Sequence, residues 1–191
     1  MPGLDIQAIN SRILPLNKAL AFAKDLNVKI RGMLDIGAAN QPGSGPAQIA
    51  CVTRLRTMTA PQIEFKQAFF RSVSDIRKIA DNAIMTRCGN CGENAAIAFI
   101  LSADAKVEPL DYMELAAPED DHAFLVIGRR EGSNPARYDA TSWGPDAVVC
   151  DPWMNKAYPC SEMFIHLASQ TTSFLYRSKC RYRTVNGMPP L

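Results

Sequence analysis

The 191-residue sequence predicts an α+β domain with a mostly antiparallel sheet. Two observations carry this. Helical hydrophobic spacing fills the first half of the chain, and short strand-like runs fill the second. A 47% hydrophobic fraction is enough for a proper core, so a packed domain is expected rather than a disordered chain. The length suits one domain, residues 1–191, divided into a helical and loop part (1–58) and a core (59–191). No internal repeat or low-complexity tract interrupts it.

Residues 4–32 read as helical through Leu4, Ile6, Ile9, Ile13 and Leu14, with a break or kink forced at Pro15. Asn17 can cap a second helix to about Leu26, with Leu20, Phe22 and Ala23 on its apolar face. Residues 37–48, rich in Gly, Pro, Asn and Ser, are expected to form a loop, the best internal boundary and a candidate mobile segment. Thr59, with Pro61 two residues on, is read as opening a further helix to about Ala83, with Phe65, Ala68, Phe69, Val73, Ile76 and Ile79 as its stripe. A helix beginning at Cys91 is expected to run to about Leu101. Strands are expected over Val107–Leu115, Ala123–Arg129, Ala147–Cys150 and Phe174–Val185, with a helix at Cys160–Ser169 between the last two.

Charge narrows the function classes. Net charge is +2 and no long basic run occurs, so nothing favours nucleic-acid binding. Arg177, Lys179, Arg181 and Arg183 occupy alternate positions of the last strand, as a solvated face would. No stretch is apolar enough over the ~18 residues a membrane span needs. The first residues lack the basic-then-apolar pattern of a signal peptide, which predicts synthesis as a cytoplasmic protein; export by a specialised machine is compatible with this. Six cysteines (Cys51, Cys88, Cys91, Cys150, Cys160, Cys180) could pair, but the ample core and irregular spacing predict reduced thiols, most of them buried.

The chemistry-bearing pattern is a Cys, a His and an Asp in that order. Cys91 lies where a helix should begin, in Arg87-Cys88-Gly89-Asn90-Cys91-Gly92-Glu93. A free thiol is mostly protonated at neutral pH, with a pKa of ~8.5. The unpaired N–H groups and macrodipole of a helix N-terminus, and a neighbouring imidazolium, favour the thiolate. Glu93, just inside the helix, favours that terminus too. Only two histidines exist. His166 sits within a predicted amphipathic helix and reads as an ordinary surface or half-buried residue. His122 opens the most apolar strand, after a polar turn, and is the candidate base. Asp151 ends the Val148-Val149-Cys150 strand before Pro152 and can hold the second imidazole nitrogen. Asp120, Asp121, Asp139 and Asp146 compete for that role without combining a strand end with this order. Singly, His122 and Asp151 could be structural; the three together suggest a thiol acyl-transfer site. Trp143 and Trp153 bracket the Asp151 strand. Core packing explains either, and Trp153 could instead shield the ion pair or wall a substrate groove. An oxyanion hole would use the Cys91 backbone N–H and a second donor, with Asn82, Asn90 and Asn94 all open.

These motifs resemble the papain-like superfamily of cysteine enzymes, in particular its transglutaminase-like branch. Cys88-Gly89-Asn90-Cys91 is similar to the Cys-Gly-x-Cys opening of papain-type proteases, in which the second cysteine attacks. The upstream oxyanion glutamine of those proteases is replaced by Met85. His122-Ala123-Phe124, Trp143 and Cys150-Asp151-Pro152 resemble the transglutaminase order of histidine strand, tryptophan and Asp-Pro. Arg87-x-Gly89-x-Cys91-x-Glu93 resembles the nucleophile motif of arylamine N-acetyltransferases, which are longer and bring histidine and aspartate closer together. The resemblance covers about Arg87 to Trp153. It implies a nucleophile helix packed on an antiparallel sheet, with Cys91 as nucleophile, His122 as base and Asp151 as orienter, and no metal or cofactor. It also implies a protein substrate, such as a host protein cleaved or deamidated by a bacterial effector.

Three other readings compete. Cys88 and Cys91 could hold zinc, although a structural site wants four ligands and Cys150 and Cys160 are not closely spaced. Cys-Gly-Asn-Cys before a helix suits a dithiol redox motif, but such motifs follow a strand, and here a helix is expected. The last is a catalytically dead binding domain.

Overall fold

A computed structural model describes residues 10–59, 72–116, 121–133, 140–168 and 177–184. Among the described residues four helices come first: α1 (Leu16–Met33), α2 (Pro46–Thr59), α3 (Val73–Thr86) and α4 (Cys91–Asp104). Strands β1 (Leu110–Ala116), β2 (Asp121–Ile127), β3 (Val148–Asp151) and β4 (Lys156–Pro159) follow, then a short helix α5 (Met163–Ala168) and β5 (Arg177–Thr184). The five strands make one antiparallel sheet in the order β4-β3-β2-β1-β5. The α+β architecture is therefore as expected.

Period-two alternation in β2 and β3 explains the layering. Ala123, Leu125 and Ile127, with Val148 and Cys150, join one apolar core with α1, α3 and α4. Phe124, Val126 and Val149 point the other way, into a second cluster with Trp143, Tyr158 and Met163. Burial of an Ile- or Phe-sized side chain contributes ~1.5–3 kcal/mol. Such residues are fully buried on both faces, for instance Ile97, Phe99 and Phe124. Helix α4 is covered on nearly every side, with Ala95 to Ile100 all buried. Its N-terminus, where Cys91 lies, is thus fixed by the core.

Boundaries differ where local signals compete. Pro15, not Asn17, caps α1, and the helix continues past Leu26 to Met33, because Leu26 and Ile30 still face the core. Thr59 lies within α2, with helical turns ahead of it, rather than before a helix; its hydroxyl donates to the Leu55 carbonyl one turn back. The predicted stripe survives as Ile76 and Ile79 of α3, while Phe65, Ala68, Phe69 and residues 4–9 lie outside the described residues. Strand β4 was not expected: Lys156-Ala157-Tyr158-Pro159 is too short to show an alternation.

Arg183 corrects the solvated-face reading of β5. It is buried beside Asp111, its partner in the β1–β5 register. Asp111, with no exposed surface, accepts from Arg129 (2.9 and 3.0 Å) and from Arg183 (2.6 Å), and Glu131 adds a further ion pair to Arg183 at 2.8 Å. The two guanidinium groups hold the Asp111 carboxyl below its usual range against the opposing pull of burial.

The cysteine expectation is also corrected. Cys51 of α2 and Cys88, just ahead of α4, form a disulfide with Cα atoms 6.3 Å apart. The pairing depends on how α2 lies against the α3–α4 turn, which spacing does not encode. Cys91, Cys150, Cys160 and Cys180 remain free thiols, the last three buried, as expected. With Cys88 already bonded to Cys51, it is not available to pair with Cys91 around zinc or as a dithiol.

Candidate active site

The segment leading into α4 is held from several directions. Arg87 caps α3 in the left-handed region (φ 63°) and forms a two-pronged ion pair with Asp35. The Gly89 N–H donates to the Gly37 carbonyl (3.3 Å) beside a one-residue parallel bridge between Gly37 and Cys88. A Cβ on Gly89 would come within 2.6 Å of the Glu93 Cβ, so no larger residue fits there without displacement. Asn90 is the N-cap, and its N–H donates to the Glu93 carboxylate at 2.9 Å. Its side-chain oxygen accepts from the Ala39 N–H, also at 2.9 Å. Glu93 is buried and lies 3.6 Å from the Arg56 guanidinium. The Tyr112 hydroxyl donates to the Gly92 carbonyl at 2.9 Å. These contacts present Cys91 as the first residue of the helix, half-buried rather than sealed in the core.

His122 follows Asp121 at the start of β2, and Asp151 is the last residue of β3. Because β2 and β3 are antiparallel neighbours, these two strand ends meet. His122 Nε2 lies 2.6 Å from Asp151 Oδ2. The other carboxylate oxygen of Asp151 accepts from the Met154 N–H (3.0 Å), which fixes its plane. The Cys91 thiol is hydrogen-bonded to the imidazole. Burial of the ring works against its charge. The Asp151 carboxylate outweighs that, the Cys91 sulfur adds to it, and the imidazole pKa is raised to about 10. At neutral pH the ring is therefore a cation between the Asp151 carboxylate and the Cys91 sulfur. The structure thus brings together all three residues singled out from the sequence, from a helix N-terminus and two strand ends.

The remaining expectations resolve individually. Trp143 is core, with no exposed surface. Trp153 is not: its ring stands 5.2 Å from the His122 ring at a 54° tilt, and its indole N–H donates to Asn40 (3.0 Å). The Gln41 amide donates to the Trp153 carbonyl. Of residues 37–48, expected as a candidate mobile loop, 46–48 begin α2, and 37–45 are tied to the 152–155 turn; within the loop, Ser44 Oγ donates to the Ala38 carbonyl (2.7 Å). Asn40 and Gln41 carried no sequence signal beyond loop composition.

His166 stacks on Tyr158 (4.0 Å) and pairs with Glu162, away from Cys91, in keeping with its surface reading. Asp146 accepts from the Leu16 N–H at the start of α1. Asp120 and Asp139 lie outside the described residues, as does the side chain of Asp121. Of the oxyanion asparagines, Asn82 donates to Thr59 (3.2 Å), and Asn94 donates to the carbonyls of Gly89 and Asn90 (3.0 and 2.9 Å). Asn90 is the one that adjoins Cys91.

A cavity of about 510 Å³, lined mostly by polar groups, reaches Gly89 and Trp153, which flank this row, while Cys91, His122 and Asp151 are not part of its lining. Gly89 and Asn94 from the segment around Cys91 form one wall, and Pro152 to Asn155 another. Arg31, Leu34 and Asp35 from the end of α1 close the far side. Among the described residues no group of three or more His, Cys, Asp or Glu could hold a metal ion, and no helix is long and apolar enough to cross a membrane. No protein-family model matches the chain, and no curated protein matches it significantly.

Proposed function

We propose that this chain is a cysteine-dependent hydrolase or acyltransferase acting on amide bonds of protein substrates, with the papain/transglutaminase-like arrangement. The observation that carries the reading is the hydrogen-bonded row of Cys91, His122 and Asp151 beside a cavity. In this reading His122 already carries the proton given up by the thiol, and the Cys91 sulfur attacks the carbonyl carbon of a peptide bond or glutamine carboxamide. The carbonyl π electrons move to oxygen, where the Cys91 backbone N–H and a second donor hold them, with Asn90 placed beside the nucleophile. The C–N bond then breaks. The amine or ammonia leaves with the proton from His122, and a thioester remains. Water resolves it to a carboxylate, as in a protease or deamidase; an amine resolves it to a new amide, as in a transglutaminase. Asp151 keeps the imidazole oriented and charged between these steps. Trp153 shields the pair from water.

The Cys51–Cys88 disulfide favours a working environment more oxidising than a bacterial cytosol, since reducing compartments keep such pairs apart. Export by a specialised machine, as for an effector acting on a host protein, suits that chemistry.

The test is alkylation by iodoacetamide at neutral pH, followed by peptide mass mapping. Cys91 should react at least about tenfold faster than an unactivated thiol such as glutathione, and His122→Ala should remove the excess. A Cys91 rate equal to that of glutathione and indifferent to His122 would sink the proposal.

A further inference from the structure

The cavity beside Cys91 is one end of a longer trough. A second cavity of about 390 Å³ adjoins it, and Asn155 lines both. One wall is a single stripe of α1, with Lys24 and Val28 facing the second cavity and Arg31 and Leu34 the first. Residues spaced by three or four share a helix face, so this stripe runs along the trough axis. The opposite wall is the turn and strand from Pro152 to Tyr158, which leads directly out of Asp151. From Lys24 to Leu34 the helical rise covers about 15 Å. That is the reach of roughly four or five residues of extended peptide.

The charges along this path are unequal. Lys24 and Arg31 are exposed, Lys156 is half-buried, and among the described residues none of the three has an ion pair. The acid lining the trough, Asp35, has both oxygens engaged by Arg87. At the far end Glu162 is turned to His166, 3.4 Å away. A trough that is mostly polar in its first cavity, with three cations outside any ion pair and its lining acid held by Arg87, complements a negatively charged ligand. Its length, and its start at Gly89 and Trp153, which flank the row, suit an extended chain rather than a small anion.

We infer that the trough binds an acidic, extended segment of the protein substrate flanking the bond that Cys91 attacks. This rests on the thiol reading of the site. Arg31, in the first cavity, and Lys156, the cross-strand partner of Asp151, are the first specificity determinants, and Lys24 extends the preference outward.

The experiment uses pentapeptides carrying a chloroacetamide at one end or the other. The Cys91 sulfur displaces chloride and forms a thioether, which is read by intact mass. At low salt, glutamate-rich peptides should label Cys91 about tenfold faster than lysine-rich ones, the difference three exposed charge contacts can supply. Arg31→Glu alone should narrow the gap by about threefold. The triple variant K24E/R31E/K156E should reverse it, with a melting temperature that verifies folding. A second measurement needs no chemistry: fluorescence anisotropy of labelled penta-glutamate on the Cys91→Ala protein, with and without the three reversals. Binding that the reversals abolish, with no peptide labelling Cys91 above the glutathione rate, would support the trough while sinking the thiol reading. Equal labelling by both peptide classes, with penta-glutamate binding indifferent to the reversals, would overturn the inference. So would displacement of penta-glutamate by oligouridylate at lower charge-matched concentrations, which would assign the trough to nucleic acid.

Discussion

His122 is the residue on which the site turns, because opposite forces act on one ring. Burial pushes it toward neutrality, and Asp151 at 2.6 Å pulls it the other way and prevails. The folded-state pKa of about 10 lies above the 6.5 expected of an unfolded chain. The resulting stabilisation is fully present below pH 6.5 and disappears as pH rises through about 10. The stability gap between the wild type and His122→Gln should therefore be widest near pH 6 and shrink toward pH 10, at most by about 1.4 kcal/mol per pH unit. Denaturant unfolding at a series of pH values measures it; a gap that stays constant would mean that the ring is not held as a cation. These three residues were legible in the sequence because a cysteine at a helix start and two polar residues at strand ends leave a positional signature. Asn40, Gln41 and the placement of Trp153 over His122 were not. They depend on how a loop of small residues folds back across a turn more than a hundred residues later.

Among the elements, the α2–α3–α4 layer shows best what pattern reading misses. Thr59 followed two residues later by proline carries the signature of a helix start, yet Thr59 already lies within α2. Short-range signals say where a helix can begin, and packing of Val52 and Leu55 into the core decides where this one runs. The same packing sets Cys51 against Cys88, across 37 residues. Closing a loop of that length restricts the unfolded chain and contributes about 2–4 kcal/mol. Cys51→Ala should lower the midpoint of unfolding accordingly, and dithiothreitol should lower the wild type to a similar level without affecting the variant. Equal stability of the reduced and oxidised wild type would show that the cross-link adds nothing. Since Cys88 lies three residues before Cys91, the reduced protein should also alkylate differently at Cys91 if the cross-link helps to hold the helix start.

At the scale of the whole molecule, the sheet order joins the two ends of the strand region, because β5 pairs with β1 and not with its sequence neighbour β4. The charged cluster of Asp111, Arg129, Arg183 and Glu131 lies at that junction. Alternating basic residues in β5 suggested a surface, and only the register with Asp111 shows why Arg183 is inside. Removing one partner of such a network leaves uncompensated buried charge. Asp111→Ala should therefore cost about 3–5 kcal/mol and show as a large loss of thermal stability, greater than that of Arg183→Met. A small effect would mean that water reaches the cluster.

The two tryptophans divide between these scales. Trp143 is sealed in the second core, and Trp153 leans on the imidazole of the reactive row. Replacing either with phenylalanine leaves a single indole whose fluorescence can be assigned without an added dye. The emission of Trp143 then follows the integrity of the fold, while that of Trp153, next to a ring that quenches when charged, follows protonation and occupancy at the row. The protein thus carries its own pair of optical probes, one for structure and one for chemistry.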